Sequence, residues 1–171
     1  SEIDFNGGAG SVSGSGNLTL QSFGVATPTA LGGVAGTDVS GQLDLTAADL
    51  AALADGFNSL TISSGGEITT AGDVAFRDDA IVNAGAGIRI GSNVSNTGSL
   101  TFAGPLSVTG ARSVSSSGGS LVFQGAVSKD AGVGGSLTVD AADSSGTVTF
   151  AGDVTLDDLT TNAGSYSVSL N

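Results

Sequence analysis

Leu100-Thr101-Phe102-Ala103-Gly104-Pro105-Leu106-Ser107-Val108 returns almost unchanged as Val148-Thr149-Phe150-Ala151-Gly152-Asp153-Val154-Thr155-Leu156. Looser copies of the same apolar-Thr-Phe-x-Gly-x-apolar-x-apolar pattern are Ile68-Thr69-Thr70-Ala71-Gly72-Asp73-Val74-Ala75-Phe76, Leu121-Val122-Phe123-Gln124-Gly125-Ala126-Val127 and Ile88-Arg89-Ile90-Gly91-Ser92-Asn93-Val94. The copies begin at 68, 88, 100, 121 and 148, so their spacings are 20, 12, 21 and 27 residues. That is irregular but centred near 20. A longer pair aligns Gly72-Asp73-Val74-Ala75-Phe76-Arg77-Asp78-Asp79 and Asn83-Ala84-Gly85 with Gly152-Asp153-Val154-Thr155-Leu156-Asp157-Asp158 and Asn162-Ala163-Gly164.

Within each copy, apolar residues alternate with small or polar ones, the period-2 signature of a strand with one buried face. Helical spacing fits nowhere in residues 60–171. The recurring Gly marks a bend or a close approach of backbones, and clusters such as Ser115-Ser116-Ser117-Gly118-Gly119 supply turns. Short strands, Gly-rich corners and a repeat near 20 residues describe one coil of a parallel β-solenoid, which buries its face only against neighbouring coils. A β-sandwich is the alternative, because strands every 8–12 residues also fit it. The phenylalanines decide between them: Phe102, Phe123 and Phe150 hold the same place in successive copies, which in a solenoid stacks them into a ladder. The expected fold is therefore an all-β parallel helix of six to eight coils, one domain over 1–171. Its second inward column would contain Val74, Val94, Leu106, Val127 and Val154.

Residues 26–58 interrupt the pattern. Ala26-Thr27-Pro28-Thr29-Ala30-Leu31-Gly32-Gly33 reads as loop. A short helix is predicted near 47–55, with Thr46 as cap, Asp49 near its positive end and Gly56 closing it. It would decorate the side of the solenoid. The coil resumes at Leu60-Thr61-Ile62.

Composition bounds the chemistry. Among 171 residues there are 29 Gly, 7 Phe and 1 Tyr, and no Trp, Met, Cys or His. The usual general bases near neutral pH and the soft metal ligands are absent, so no enzyme activity is expected. Four Lys and Arg against 16 Asp and Glu give a net charge of −12, which repels nucleic acid and anionic lipid. No apolar run approaches the roughly 20 residues that span a bilayer. Neither nucleic-acid binding nor membrane insertion is expected. A mean hydropathy of +0.30 separates the chain from disordered sequences. Without cysteine, stability must come from packing and backbone hydrogen bonds.

The Thr-Phe-Ala-Gly units, together with the run from Leu43 to Ile62, resemble repeat regions of large bacterial exoproteins of the filamentous haemagglutinin type. The similarity covers roughly 43–171 and, more weakly, 1–25. It implies a right-handed parallel β-helix, extracellular or displayed at the bacterial cell surface, serving adhesion, aggregation or biofilm structure. Its partners would be copies of itself or neighbouring repeats, and beyond them glycans or other surface proteins. The competing function is a carbohydrate-binding or carbohydrate-cleaving β-helix.

Few residues stand out as sites. Asp78-Asp79 and Asp157-Asp158 recur at matching places in the longer alignment, and paired hard oxygen ligands of this kind suit Ca²⁺ at a corner between strands. The plainer reading is a solvated acidic turn, since neither the nonapeptide calcium pattern nor EF-hand spacing occurs. No other cofactor is expected. Carbohydrate cleavage would need clustered carboxylates with basic partners, and Arg77, Arg89, Arg112 and Lys129 are the only strong cations. Outward Thr101, Ser107, Thr149 and Thr155 read either as a solubilising face or as a flat surface that holds glycans or other fibres. Finally, Ile3-Asp4-Phe5-Asn6-Gly7 repeats the apolar-x-Phe-x-Gly core, and Tyr166-Ser167-Val168-Ser169-Leu170 alternates like a strand. With no cap visible at either end, Ile3, Phe5, Tyr166, Val168 and Leu170 are candidates for head-to-tail self-association.

Overall fold

Alternating residues become strands, and small residues become the corners that let the strands stack. The computed structural model describes residues 3–34, 39–141, 146–162 and 164–171. The chain opens with β1 (Asn17–Gln21), β2 (Thr29–Gly33), β3 (Leu43–Thr46) and helix α1 (Ala47–Ala52). Three-strand turns follow: β4 (Ser59–Ser64), β5 (Ile68–Thr70), β6 (Val74–Phe76); then β7 (Ala80–Ala84), β8 (Ile88–Ile90), β9 (Val94–Asn96). Next come β10 (Leu100–Ala103), β11 (Leu106–Val108), β12 (Gly110–Ser116), then β13 (Leu121–Phe123), β14 (Val127–Lys129), β15 (Gly135–Ala141). The last complete turn is β16 (Thr147–Phe150), β17 (Val154–Thr155), β18 (Asp158–Thr161), and β19 (Ser167–Leu170) begins another.

All pairings among these strands are parallel and stack them into three sheets. The first runs β1-β4-β7-β10-β13-β16-β19, the second β3-β2-β5-β8-β11-β14-β17 and the third β6-β9-β12-β15-β18. The protein is a parallel β-solenoid. Five turns are complete among the described residues, fewer than the six to eight expected, because residues 22–58 mostly build the start of the stack rather than advance it.

Register explains the irregular spacing of the sequence copies. In the first sheet Leu60, Ala80, Leu100, Leu121, Val148 and Val168 lie one above another, steps of 20, 20, 21, 27 and 20 residues. The copies at 100, 121 and 148 span the corner from first to second sheet, whereas those at 68 and 88 span the corner from second to third. Mixing two corners produced the step of 12. The same reason divides the second inward column: Leu106, Val127 and Val154 file with Ile68 and Ile88 in the second sheet, while Val74 and Val94 file with Val114 and Val139 in the third.

The segment read as loop contains β2, which pairs with β5 and β3. Thr29, Ala30, Leu31 and Gly32 are all buried, so no alternation marks the strand in sequence. Strand β3 lies beyond β2, at the outer edge of the second sheet, although it follows β2 in the chain. Helix α1 then packs against β3, β2 and β6, the edge strand of the third sheet. It occupies the end of that sheet rather than decorating the solenoid's side. Thr46 and Asp49 form a capping box: the Asp49 amide donates to Thr46 Oγ1 at 3.2 Å and the Thr46 amide to Asp49 Oδ2 at 2.9 Å. The helix stops at Ala52, earlier than predicted, because Leu53 turns extended and bridges to Val12.

Candidate functional site

An aromatic file runs through the inside of the solenoid. Phe102 pairs with Phe123 and Phe123 with Phe150 on three adjacent strands of the first sheet. Their rings stack with centroids 5.3 Å apart at 15° and 4.7 Å apart at 4°. Ile62 and Val82 continue the file on one side and Leu170 on the other. From Ile62 to Phe150 the file is buried core and offers nothing to a ligand; only Leu170, at its end, is exposed.

The acidic pairs are not equivalent in space. Asp78 and Asp79 precede β7 at the corner from third to first sheet, while Asp157 and Asp158 stand where β17 gives way to β18, from second to third. The longer alignment that equated them crosses two corners, and its Ala163 lies outside the described residues. Each carboxylate is used within the protein. Asp78 Oδ1 accepts from the Gly56 amide (2.8 Å) and Asp79 Oδ1 from the Ser99 amide (2.8 Å). Asp157 pairs with Lys129 Nζ and accepts from the Gly135 amide at 2.9 Å, and Asp158 accepts from Thr160 Oγ1 at 3.2 Å. Among the described residues, no group of three acidic side chains converges as a metal cradle. Asp78, Asp79 and Asp157 tie rung to rung, as Asp73 does for Asn93 and Asn93 for Ser113 on successive turns, whereas Asp158 bonds within its own strand.

Hydrogen bonding from the Lys129 ammonium, then from the Gly135 amide, holds the Asp157 carboxyl below its ordinary value against a smaller opposing effect of burial. A depressed folded value contributes stability above the unfolded value and loses it as pH falls through the folded one. The pair is solvent-exposed, so its contribution is small and falls with salt. NMR titration of Lys129→Met is expected to return the Asp157 midpoint upward toward an ordinary carboxylate; an unmoved midpoint would contradict the assignment.

The two ends differ. Ile3 and Phe5 form no strand; they pack against the core, and the Phe5 amide donates to Asp49 Oδ1 at 2.9 Å. Together with α1 they cover the end that the sequence suggested was bare. Leu20, Leu43, Leu45 and Leu53 are buried there. At the opposite end Val168 and Leu170 are 41% and 66% exposed, and β17, β18 and β19 each pair on one side only. Tyr166 packs beside the core, its hydroxyl 2.8 Å from the Asn162 carbonyl and 3.0 Å from that of Val139. The five candidates therefore do not form one matched pair of edges.

The sheets present different surfaces. Arg89 of β8 reaches Glu67 and Asp130, bracing the second sheet across its neighbours, and Asp44 and Lys129 also stand on its strands. The third sheet carries Arg112, Asp140 and Asp158. No strand of the first sheet contains a charged residue. Sequence reading named Thr101 and Thr149 but could not see this segregation, because it depends on assigning each strand to its sheet. It also missed an apolar tip: Phe23 and Val25 are 99% and 95% exposed on a turn held by Ser22 Oγ and Ser64 Oγ, both donating to the Thr27 carbonyl. Beside it runs a shallow groove of about 470 Å³ bordered by Gln21, Ser63, Ser64 and Gly85.

No protein-family profile matches the chain, and no curated protein or solved structure matches it significantly.

Proposed function

We propose that this solenoid is a non-enzymatic extracellular structural or adhesive segment of a bacterial surface protein of the filamentous haemagglutinin kind. The observation that supports it most is the unshifted parallel register carried through the first sheet, which makes the chain a stiff spacer built of nearest-neighbour contacts. Further coils, from neighbouring repeats or another copy, would add at the β17–β18–β19 end, where Val168 and Leu170 stand open. The covered end around Phe5 and α1 would have to rearrange before it could accept a rung. Antibody labelling of intact producing cells tests the location: surface signal supports the reading, and signal only after lysis overturns it.

One observation favours the carbohydrate alternative, the exposed Phe23 next to the hydroxyl- and amide-bordered groove. A neutral-glycan panel decides: binding lost in Phe23→Ala would favour it, and hydrolysis of any member would show an enzyme.

A further inference from the structure

We infer that the outer face of the first sheet is a lateral docking surface for a second copy of this chain, packed sheet on sheet. The chain carries a net charge of −12, so two copies repel through most of their surface. Charged side chains stand on strands of the second and third sheets and on none of the first. Among the described strands, those of this face alone let two acidic copies meet without placing strand-borne charge against charge.

Its shape suits that use. Down the middle of the outer face runs a register-matched file of β-branched residues, Thr19, Thr61, Ile81, Thr101, Val122 and Thr149. Ile81, 38% exposed, is the one large apolar side chain of the file open to solvent to that degree. Seven strands at about 4.8 Å make a strip roughly 30 Å long, and two such strips meet with their sheets about 10 Å apart. Each copy would bury on the order of 400–500 Å², below the roughly 800 Å² per partner of a standard stable interface. The pairing is therefore weak between two chains and strengthens when many turns are aligned. Strand β10, fourth of the seven, bears Thr101 in the central file, so a two-fold axis relating the copies passes near it.

Sedimentation at physiological ionic strength, where the screening length is about 8 Å, tests the inference. The average mass should rise from 16.2 kDa toward twice that value as concentration is raised. The double variant Thr101→Lys/Thr149→Lys should stay at the monomer mass, although it lowers the net negative charge. Ala75→Lys/Ser115→Lys, which changes charge equally on the third sheet, should associate at least as well as the parent. Leu170→Asp, aimed at end-on stacking, should leave lateral pairing intact. Because the chain has no cysteine, Thr101→Cys gives a second reading free of added charge: a short bismaleimide should link it into dimers, and Ala75→Cys should not be linked. A parent that remains monomeric to its solubility limit overturns the inference, as does association equal in both lysine pairs. Retention on an insoluble neutral polysaccharide, lost in Thr101→Lys/Thr149→Lys with no rise in mass, assigns the face to carbohydrate and overturns it too. Failure of either kind leaves surface location to be judged separately by antibody labelling.

Discussion

Phe123→Ala is expected to cost about 3–5 kcal/mol of folding stability. Phe123 is 1% exposed and its ring is stacked on both sides, by Phe102 and Phe150. Deleting it removes the transfer free energy of the ring and leaves a cavity in the middle of the file. The neighbours cannot close in, because each is fixed to its own rung by the backbone ladder. Offset aromatic pairs add roughly 0.5–1.5 kcal/mol beyond burial, and here two pairs are lost together. Typical domains have only about 5–15 kcal/mol to lose. Since a solenoid couples mainly neighbouring repeats, the weakened rung also separates the turns before it from those after it, and unfolding should broaden. Urea denaturation followed by circular dichroism measures both effects. Phe23→Ala, at a ring 99% exposed, is the control and should change stability by less than about 0.5 kcal/mol. A loss under about 1 kcal/mol for Phe123→Ala would refute the stacked core.

The contrast between those two phenylalanines shows what the sequence disclosed. Phe123 was legible because its copy repeats Phe102 and Phe150 with the same flanking apolar residues and the same following glycine, and stacking demands that repetition. Phe23 sits in no repeat, so nothing in its neighbours distinguished a tip from a core residue. Strand β2 was illegible for a different reason: Thr29–Gly33 is covered on both faces, and period-2 alternation exists only where one face meets water. The helix at Thr46–Asp49 was readable from local capping chemistry, but its place was not, because that depends on β3 lying beyond β2 against chain order. The acidic pairs erred in the same way. Gly-Asp-Val precedes strands at two different corners, and a linear alignment has no means of separating corners whose local demands are alike. The uncharged face of the first sheet emerges only once every strand has been assigned, since each strand alone is too short to look unusual.

The glycine of the repeated motif yields the second large effect. Gly125→Ala should destabilise by about 1–3 kcal/mol, the range for forcing atoms into a filled interior. A Cβ built on Gly125 would lie 2.5 Å from the carbonyl carbon and oxygen of Gly104 and 2.6 Å from the Pro105 nitrogen. All three are backbone atoms of the turn below, so no side chain can swing aside. The next turn repeats the crowding, with a Cβ on Gly152 falling 2.7 Å from the Ala126 nitrogen and 2.8 Å from the Gly125 carbonyl carbon. Relief requires the corner to rise, and that strains the β13 pairing on Phe102 and Phe123. Gly16 provides the opposite case. It has an ordinary φ and nothing within 4 Å of its Cβ position, so Gly16→Ala should be neutral or stabilise by about 0.4–1 kcal/mol through the unfolded chain. Thermal melts of the two variants, run side by side, separate a glycine required by stacking from one that composition alone supplies. Equal melting temperatures would mean that the corner is looser than its backbone contacts indicate, and the solenoid's tight coil-to-coil spacing would lose its explanation.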